Sequence, residues 1–129
     1  MTRLTIRIDF DERGSFGPGK ARLLELIAEL ASLRQAASAM DMSYRQAWLL
    51  IKAAEDSFGA PLVETTTGGT HGGGSRLTSL GETVLEHYRA IESKANRSAK
   101  QEIADLDRLA TPRGTSASLP RKLRPRKKP

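Results

Sequence analysis

At 129 residues and with no cysteine, the chain is long enough for one small core plus an extension, and disulfide stapling and thiolate chemistry are excluded. No stretch approaches the roughly 18 apolar residues of a membrane span, and the N-terminus lacks the charged-then-apolar pattern of a signal peptide, so a cytoplasmic protein with no membrane partner is expected. The formal charge of +6 does not describe the domain: seven of the 21 basic residues fall in residues 111–129, which hold no acid, leaving 14 basic against 15 acidic side chains before them.

In the run LTIRID (Leu4 to Asp9), Leu4, Ile6 and Ile8 alternate with Thr5, Arg7 and Asp9. That period of two predicts a half-buried strand, which needs a pairing partner elsewhere. In the loop DERGSFGPG that follows, Pro18 and Gly19 set the entry to a helix from about Lys20. Leu23, Ile27, Leu30 and Ala31 recur there at helical spacing, and Leu24 and Leu26 widen the stripe, so this helix belongs to the core with one face in water.

Two Ser-x-x-Gln units, Ser32 with Gln35 and Ser43 with Gln46, come next in SLRQAASAMDMSYRQAW. In each, the serine hydroxyl can accept from the glutamine backbone N–H while the glutamine side chain returns to the serine backbone, a reciprocal cap that starts a helix. The first helix is expected to reach about Met40 and the second about Phe58, where Gly59 can end it. Ala36, Ala37 and Ala39 are small enough for another helix to approach closely. Joined by Asp-Met-Ser, the pair has helix-turn-helix spacing.

At roughly 100° per residue the second helix turns Ala47, Leu50, Ile51, Ala54 and Phe58 inward and Arg45, Leu49, Lys52 and Asp56 outward, with Gln46 and Trp48 on the flanks. An arginine and a glutamine in the first turn suit a major-groove reader, since arginine pairs bidentately with guanine and glutamine with adenine. For Arg45, contact with DNA is favoured over an ordinary solvated arginine. For Tyr44 and Trp48, one turn apart, packing over the core edge is favoured over a place beside the DNA backbone.

The segment PLVETTTGGTHGGGSRLT (Pro61 to Thr78) predicts two short strands, around residues 62–66 and 75–77, joined by a glycine-rich tip. A nucleotide-binding phosphate loop would need a Gly-Lys-Ser/Thr ending, which is missing. His71, with no second histidine or cysteine nearby, reads as a solvated loop residue rather than a metal ligand. Arg76 has two open readings, a phosphate contact and a salt bridge to Glu64 across the hairpin.

A last helix is expected near Thr78 or Ser79, with Ser79 and Glu82 forming another capping box. The stripe Val84, Tyr88, Ile91 and Ala95 continues through Ala99, Ile103, Leu106 and Leu109 and predicts one helix to about Ala110. Its second half exceeds what a small domain can cover, so it is expected to pack on a second copy. The tail TPRGTSASLPRKLRPRKKP, rich in proline and cations and poor in large apolar groups, is expected to be disordered. It would act either as a salt-sensitive attraction for phosphates or as a solubilising end. No base is spaced beside a nucleophile and no His or Cys cluster suggests a metal, so neither an enzyme nor a cofactor is expected.

The runs GPGKARLLELIAEL, SLRQAASAMDMSYRQAWLLI and FGAPLVETTTGGTHGGGSRLTSLGETVLEHYRAIE strongly resemble the N-terminal DNA-binding domain of the ModE-type molybdate-responsive regulators, and more distantly the LysR-type winged helices. The resemblance covers about residues 3–96, and MSYRQAWLL and ETTTGGTHGGGSRLT are its specific signatures. It implies a mainly α fold with a small β-hairpin, a winged helix-turn-helix with a long C-terminal helix. Such proteins bind double-stranded DNA as homodimers on palindromic operators, with the helix matching residues 43–58 in the major groove and the hairpin matching 62–77 near the flanking backbone. The organisation expected is a DNA-binding domain with a dimerisation helix over residues 1–110 and a basic tail over 111–129.

Expected DNA contacts are Ser43, Tyr44, Arg45, Gln46, Trp48, Lys52, Thr67, His71 and Arg76. Arg45 and Gln46 would read bases, Ser43 and Tyr44 would meet phosphate or the groove edge, and Lys52, Thr67, His71 and Arg76 would bind backbone. ModE regulators carry C-terminal molybdate-binding modules, and this sequence has no residues onto which their oxyanion ligands can be carried. A small-molecule effector is therefore not expected to bind this chain directly. The alternative is a non-catalytic interaction module that heterodimerises with another regulator and modulates it. Asp41 stands where the family commonly has glycine, which asks an aspartate to take a left-handed bend.

Overall fold

The computed structural model describes residues 2–66 and 74–110. They fall into two compact units, one formed by Thr5–Lys94 and the other by the described parts of Met1–Leu4 and Ala95–Pro129.

The larger unit opens on a tight hairpin. β1 (Ile8–Asp9) pairs antiparallel with β2 (Ser15–Phe16), Ile8 opposite Phe16 and Asp9 opposite Ser15, around a 3-10 turn at Asp11–Arg13. The strand expected over Leu4–Asp9 is thus corrected in length and partner. Its pairing edge lies inside the following loop and is itself two residues long, so the ladder stops after Ile8.

α1 (Pro18–Leu30) starts on a proline, whose missing N–H is one that no helical carbonyl would have accepted. It buries Ala21, Leu23, Leu24, Leu26 and Ile27. Leu30 and Ala31 were expected to continue that stripe; instead Ala31 turns left-handed (φ 54°) and ends the helix, leaving Leu30 exposed. α2 (Leu33–Ala39) packs on α1 and on α3 (Tyr44–Phe58), with Ala36 and Ala37 fully buried at the close approach. Three edge-to-face aromatic pairs, Phe10 with Phe58, Phe16 with Phe58 and Phe16 with Tyr88, run through the core at centroid distances of 5.4, 6.2 and 5.2 Å.

β3 (Val63–Thr66) and β4 (Gly74–Leu77) form the expected second hairpin, with Val63 opposite Leu77 and Glu64 opposite Arg76. Its tip, with Thr67 and His71, lies outside the described residues. The hairpin is docked by backbone contacts: the Ser75 N–H donates to the Ala31 carbonyl at 3.0 Å, and a Cβ on Gly74 would come within 2.8 Å of that oxygen.

α4 (Ser79–Ser98) is capped by Thr78 rather than by a Ser79–Glu82 box, because Ser79 already lies inside the helix. The Thr78 hydroxyl accepts from the Gly81 N–H (3.0 Å) and donates to the Pro61 carbonyl (2.8 Å), so one side chain caps α4 and ties it to the segment before β3. Val84 and Tyr88 enter the core, and the Tyr88 hydroxyl donates to the Ile6 carbonyl at 2.6 Å. Arg89 pairs with Glu25 of α1 (3.1 Å) and with Glu92 (2.7 Å).

In the smaller unit the helix expected to run unbroken to Ala110 is interrupted at Ala99 (φ −101°, ψ 13°), and α5 (Lys100–Leu109) follows. Ile91, expected on the stripe of Val84 and Tyr88, is exposed, and between it and Ile103 the stripe holds only Ala95 and Ala99, so little buried area holds the helix to one course. The Asn96 side chain brackets the Leu4 backbone, accepting from its N–H (2.8 Å) and donating to its carbonyl (3.0 Å). The Thr2 hydroxyl donates to Asp107. Leu106 and Leu109 are exposed. Among the described residues no helix is long and apolar enough to cross a membrane.

Candidate nucleic-acid interface

The turn between α2 and α3 is built from local hydrogen bonds. The Ser32 hydroxyl accepts from the Gln35 N–H at 3.1 Å, the first half of a capping box, and α2 ends at Met40. Asp41 then takes the left-handed conformation (φ 54°) that its place in the turn demands, and the Met42 N–H returns to the Ala37 carbonyl at 3.0 Å. At Ser43 both halves of the box are made: its hydroxyl accepts from the Gln46 N–H, and its own N–H donates to Gln46 Oε1, each at 3.0 Å. The N-terminus of α3 is therefore fixed on a short turn before any ligand arrives.

The inner face of α3 buries Ala47, Ile51 and Ala54, with Leu50 and Phe58 partly covered, as the periodicity predicts. Its outer side presents Tyr44, Arg45, Gln46, Trp48, Leu49 and Lys52. Tyr44 and Trp48 were expected to pack over the core edge, and the structure corrects this: they are 46% and 44% exposed. Each ring has a cation over it. The Arg34 guanidinium lies 4.8 Å from the Tyr44 ring centroid, and Lys52 Nζ lies 5.3 Å from that of Trp48.

Arg45 is exposed and makes no ion pair among the described residues. Lys52 pairs with Glu55 (3.3 Å), whose other oxygen accepts from the backbone N–H groups of Leu62 (2.9 Å) and Val63 (3.3 Å). This largely covered carboxylate hangs the β3–β4 hairpin from α3. Of the two readings left open for Arg76, the bridge is formed, with Nε 2.7 Å from Glu64 Oε1 on an exposed face. Across α2, the turn and α3, the cations Arg34, Arg45 and Lys52 are matched in number by Asp41, Glu55 and Asp56, but Glu55 and Asp56 both fall in the last turn of α3, so the start of each helix carries an arginine and no acid.

Sequence reasoning passed over Arg34 and Glu55. The (i, i+3) pairing of Lys52 and Glu55 is visible in the sequence, but the hold on Leu62 and Val63 is tertiary. Arg34 and Tyr44 lie ten residues apart across a turn, and no periodicity links them.

Residues 19–82, from α1 to the start of α4, match the profile of the bacterial regulatory helix-turn-helix proteins of the lysR family. The domain belongs to that family. The chain is also similar to the transcriptional regulator ModE of Haemophilus influenzae, 32% identical over 113 residues, which are 85% of this chain and 44% of that protein. A molybdenum transport protein ModE of Herbaspirillum seropedicae is 39% identical over 72 residues, 56% of this chain and 27% of the relative. The chain thus spans less than half the length of these curated relatives. Among solved structures, the LysR-type domain is similar to that of a CbnR_DBD–DNA complex, with a TM-score of 0.53 and 26% identity over 68% of this chain and 95% of the other. The architecture is the winged helix-turn-helix expected, with α2 and α3 as the helix pair and β3–β4 as the wing.

Proposed function

We propose that this chain is a sequence-specific DNA-binding regulator of transcription, with α3 in the major groove and the β3–β4 wing beside the flanking backbone. The observation that carries this reading is Arg45, exposed without an ion pair among the described residues on the first turn of a helix whose start is locked by a reciprocal cap. Held there, its guanidinium can offer two parallel donors to guanine O6 and N7. Gln46 keeps Oε1 in the cap and has Nε2 left as a donor, which suits an acceptor edge better than the bidentate pairing with adenine that needs both amide ends.

In this arrangement Ser43 meets phosphate or the groove edge, and Tyr44 and Trp48 stand on the same exposed flank. Lys52, Thr67, His71 and Arg76 serve the backbone, Lys52 and Arg76 from within their pairs with Glu55 and Glu64. The exposed Leu106 and Leu109 of α5 support self-association as a homodimer. Two copies of α3 would then face half-sites about one helical turn apart. The names of the ModE relatives support molybdenum-related genes as targets, with the effector sensed by something other than the residues of this chain. The chain acts without catalysis and in the cytoplasm. The alternative of a pure interaction module is not favoured by similarity to DNA-binding regulators.

Genome-wide mapping of bound sites, followed by mobility-shift assays on the recovered fragments with and without molybdate, tests this reading. A shared motif, shifted with or without molybdate, is expected. Recovery of fragments with no common motif would count against sequence-specific binding.

A further inference from the structure

Arg34 is the one cation of the α2–turn–α3 stretch to which no role has been given. It sits in the first turn of α2, where the helix dipole does not favour a positive charge, and it makes no ion pair among the described residues. Its guanidinium nevertheless has a defined place, 4.8 Å from the centroid of the exposed Tyr44 ring. The distance lets the guanidinium meet the ring with its flat face, and in that arrangement its N–H edges are left free. An arginine held this way can still grip two phosphate oxygens, and it loses less freedom in doing so than a free side chain. Tyr44 is the first residue of α3 and the neighbour of Arg45, so the held guanidinium lies alongside the helix end assigned to the groove.

We propose that Arg34 is a phosphate anchor of the interface, clamping a phosphodiester of the strand that flanks the groove, and that Tyr44 is its positioning residue rather than a direct DNA contact. This rests on the DNA-binding reading above and adds a residue and a division of labour to it. Because phosphates carry no sequence information, the contact acts on every duplex alike.

The test is a double-mutant cycle read by fluorescence anisotropy on a mixed-sequence duplex of about 30 base pairs, across a salt series. Arg34→Ala should weaken binding about three- to tenfold at ~0.1 M salt and lower the slope of log K against log salt by about 0.9. Tyr44→Leu should weaken it about two- to fivefold, Tyr44→Phe should leave it unchanged, and the double variant Arg34→Ala/Tyr44→Leu should be no weaker than Arg34→Ala alone. An unchanged salt slope in Arg34→Ala overturns the anchor, and that result stands even if Tyr44→Leu does not fold. Additive losses, or a loss in Tyr44→Phe as large as in Tyr44→Leu, overturn the positioning role. If the wild-type chain binds no duplex at low salt, it is the proposed function that falls.

Discussion

Arg45 and Gln46 are neighbours on one helical turn, yet the structure leaves them in different states. Gln46 spends its carbonyl on the cap of its own helix, whereas Arg45 is exposed and makes no ion pair among the described residues. On the proposed function, most of the base reading therefore falls to Arg45. Arg45→Ala should cost about 1–3 kcal/mol on a specific site and relax discrimination at one base position. Titrations on specific and mixed-sequence duplexes check this, and equal losses on both would reassign Arg45 to the backbone.

Tyr88 makes a separate prediction about stability. Burial raises its pKa above the usual value near 10, Glu92 adds to the rise, and Arg89 offsets part of it. The folded state thus holds the phenolic proton more tightly than the unfolded chain. This contribution to stability is complete below about pH 10 and is lost as pH climbs through the folded value. Urea unfolding between about pH 8 and 12 should show the decline. Tyr88→Phe, weaker by about 1 kcal/mol for the lost hydrogen bond to Ile6, should lack this part of it. An equally steep fall in the variant would contradict the assignment.

Among the elements, the helices were legible and the joints were not. Ser43, Gln46 and Gly59 bounded α3 from the sequence alone, because capping is local chemistry and the spacing of Ala47, Ile51 and Ala54 needs one face of one helix. Asp41 accepted the left-handed turn as anticipated. The misreadings fell at the ends and joins of elements: β1 found its partner in the next loop, Thr78, tied to the Pro61 carbonyl, displaced Ser79 as the cap, and the final helix broke at Ala99. Glycines mark the same limit. A Cβ on Gly81 would lie 2.2 Å from the Leu62 carbonyl oxygen, where the start of α4 presses on the chain entering β3, whereas one on Gly19 would meet nothing within 4 Å. Gly81→Ala should destabilise by about 1–3 kcal/mol, while Gly19→Ala in α1 should be neutral or stabilising by up to about 1 kcal/mol. Thermal melts of the two variants check the contrast, and similar effects in both would refute it.

For the molecule as a whole, net charge was a poor guide and local charge a good one. The overall positive balance comes from residues 111–129, while the domain before them is nearly neutral. Within that domain, Arg34 and Arg45 stand in the first turns of α2 and α3, while the acids of α3, Glu55 and Asp56, lie in its last turn. Of the candidate contacts, the outward face of α3 was readable because helical geometry alone orients it. The cradles of Arg34 on Tyr44 and of Lys52 between Trp48 and Glu55 were not, since they depend on how separate side chains meet. Sequence-specific DNA binding is the property proposed for this fold. Its most direct test compares dissociation constants for a fragment recovered by genome-wide mapping and for a mixed-sequence duplex, in the same near-physiological salt. A preference of about a thousandfold or more for the recovered fragment is expected, and equal affinities for the two would overturn sequence-specific binding.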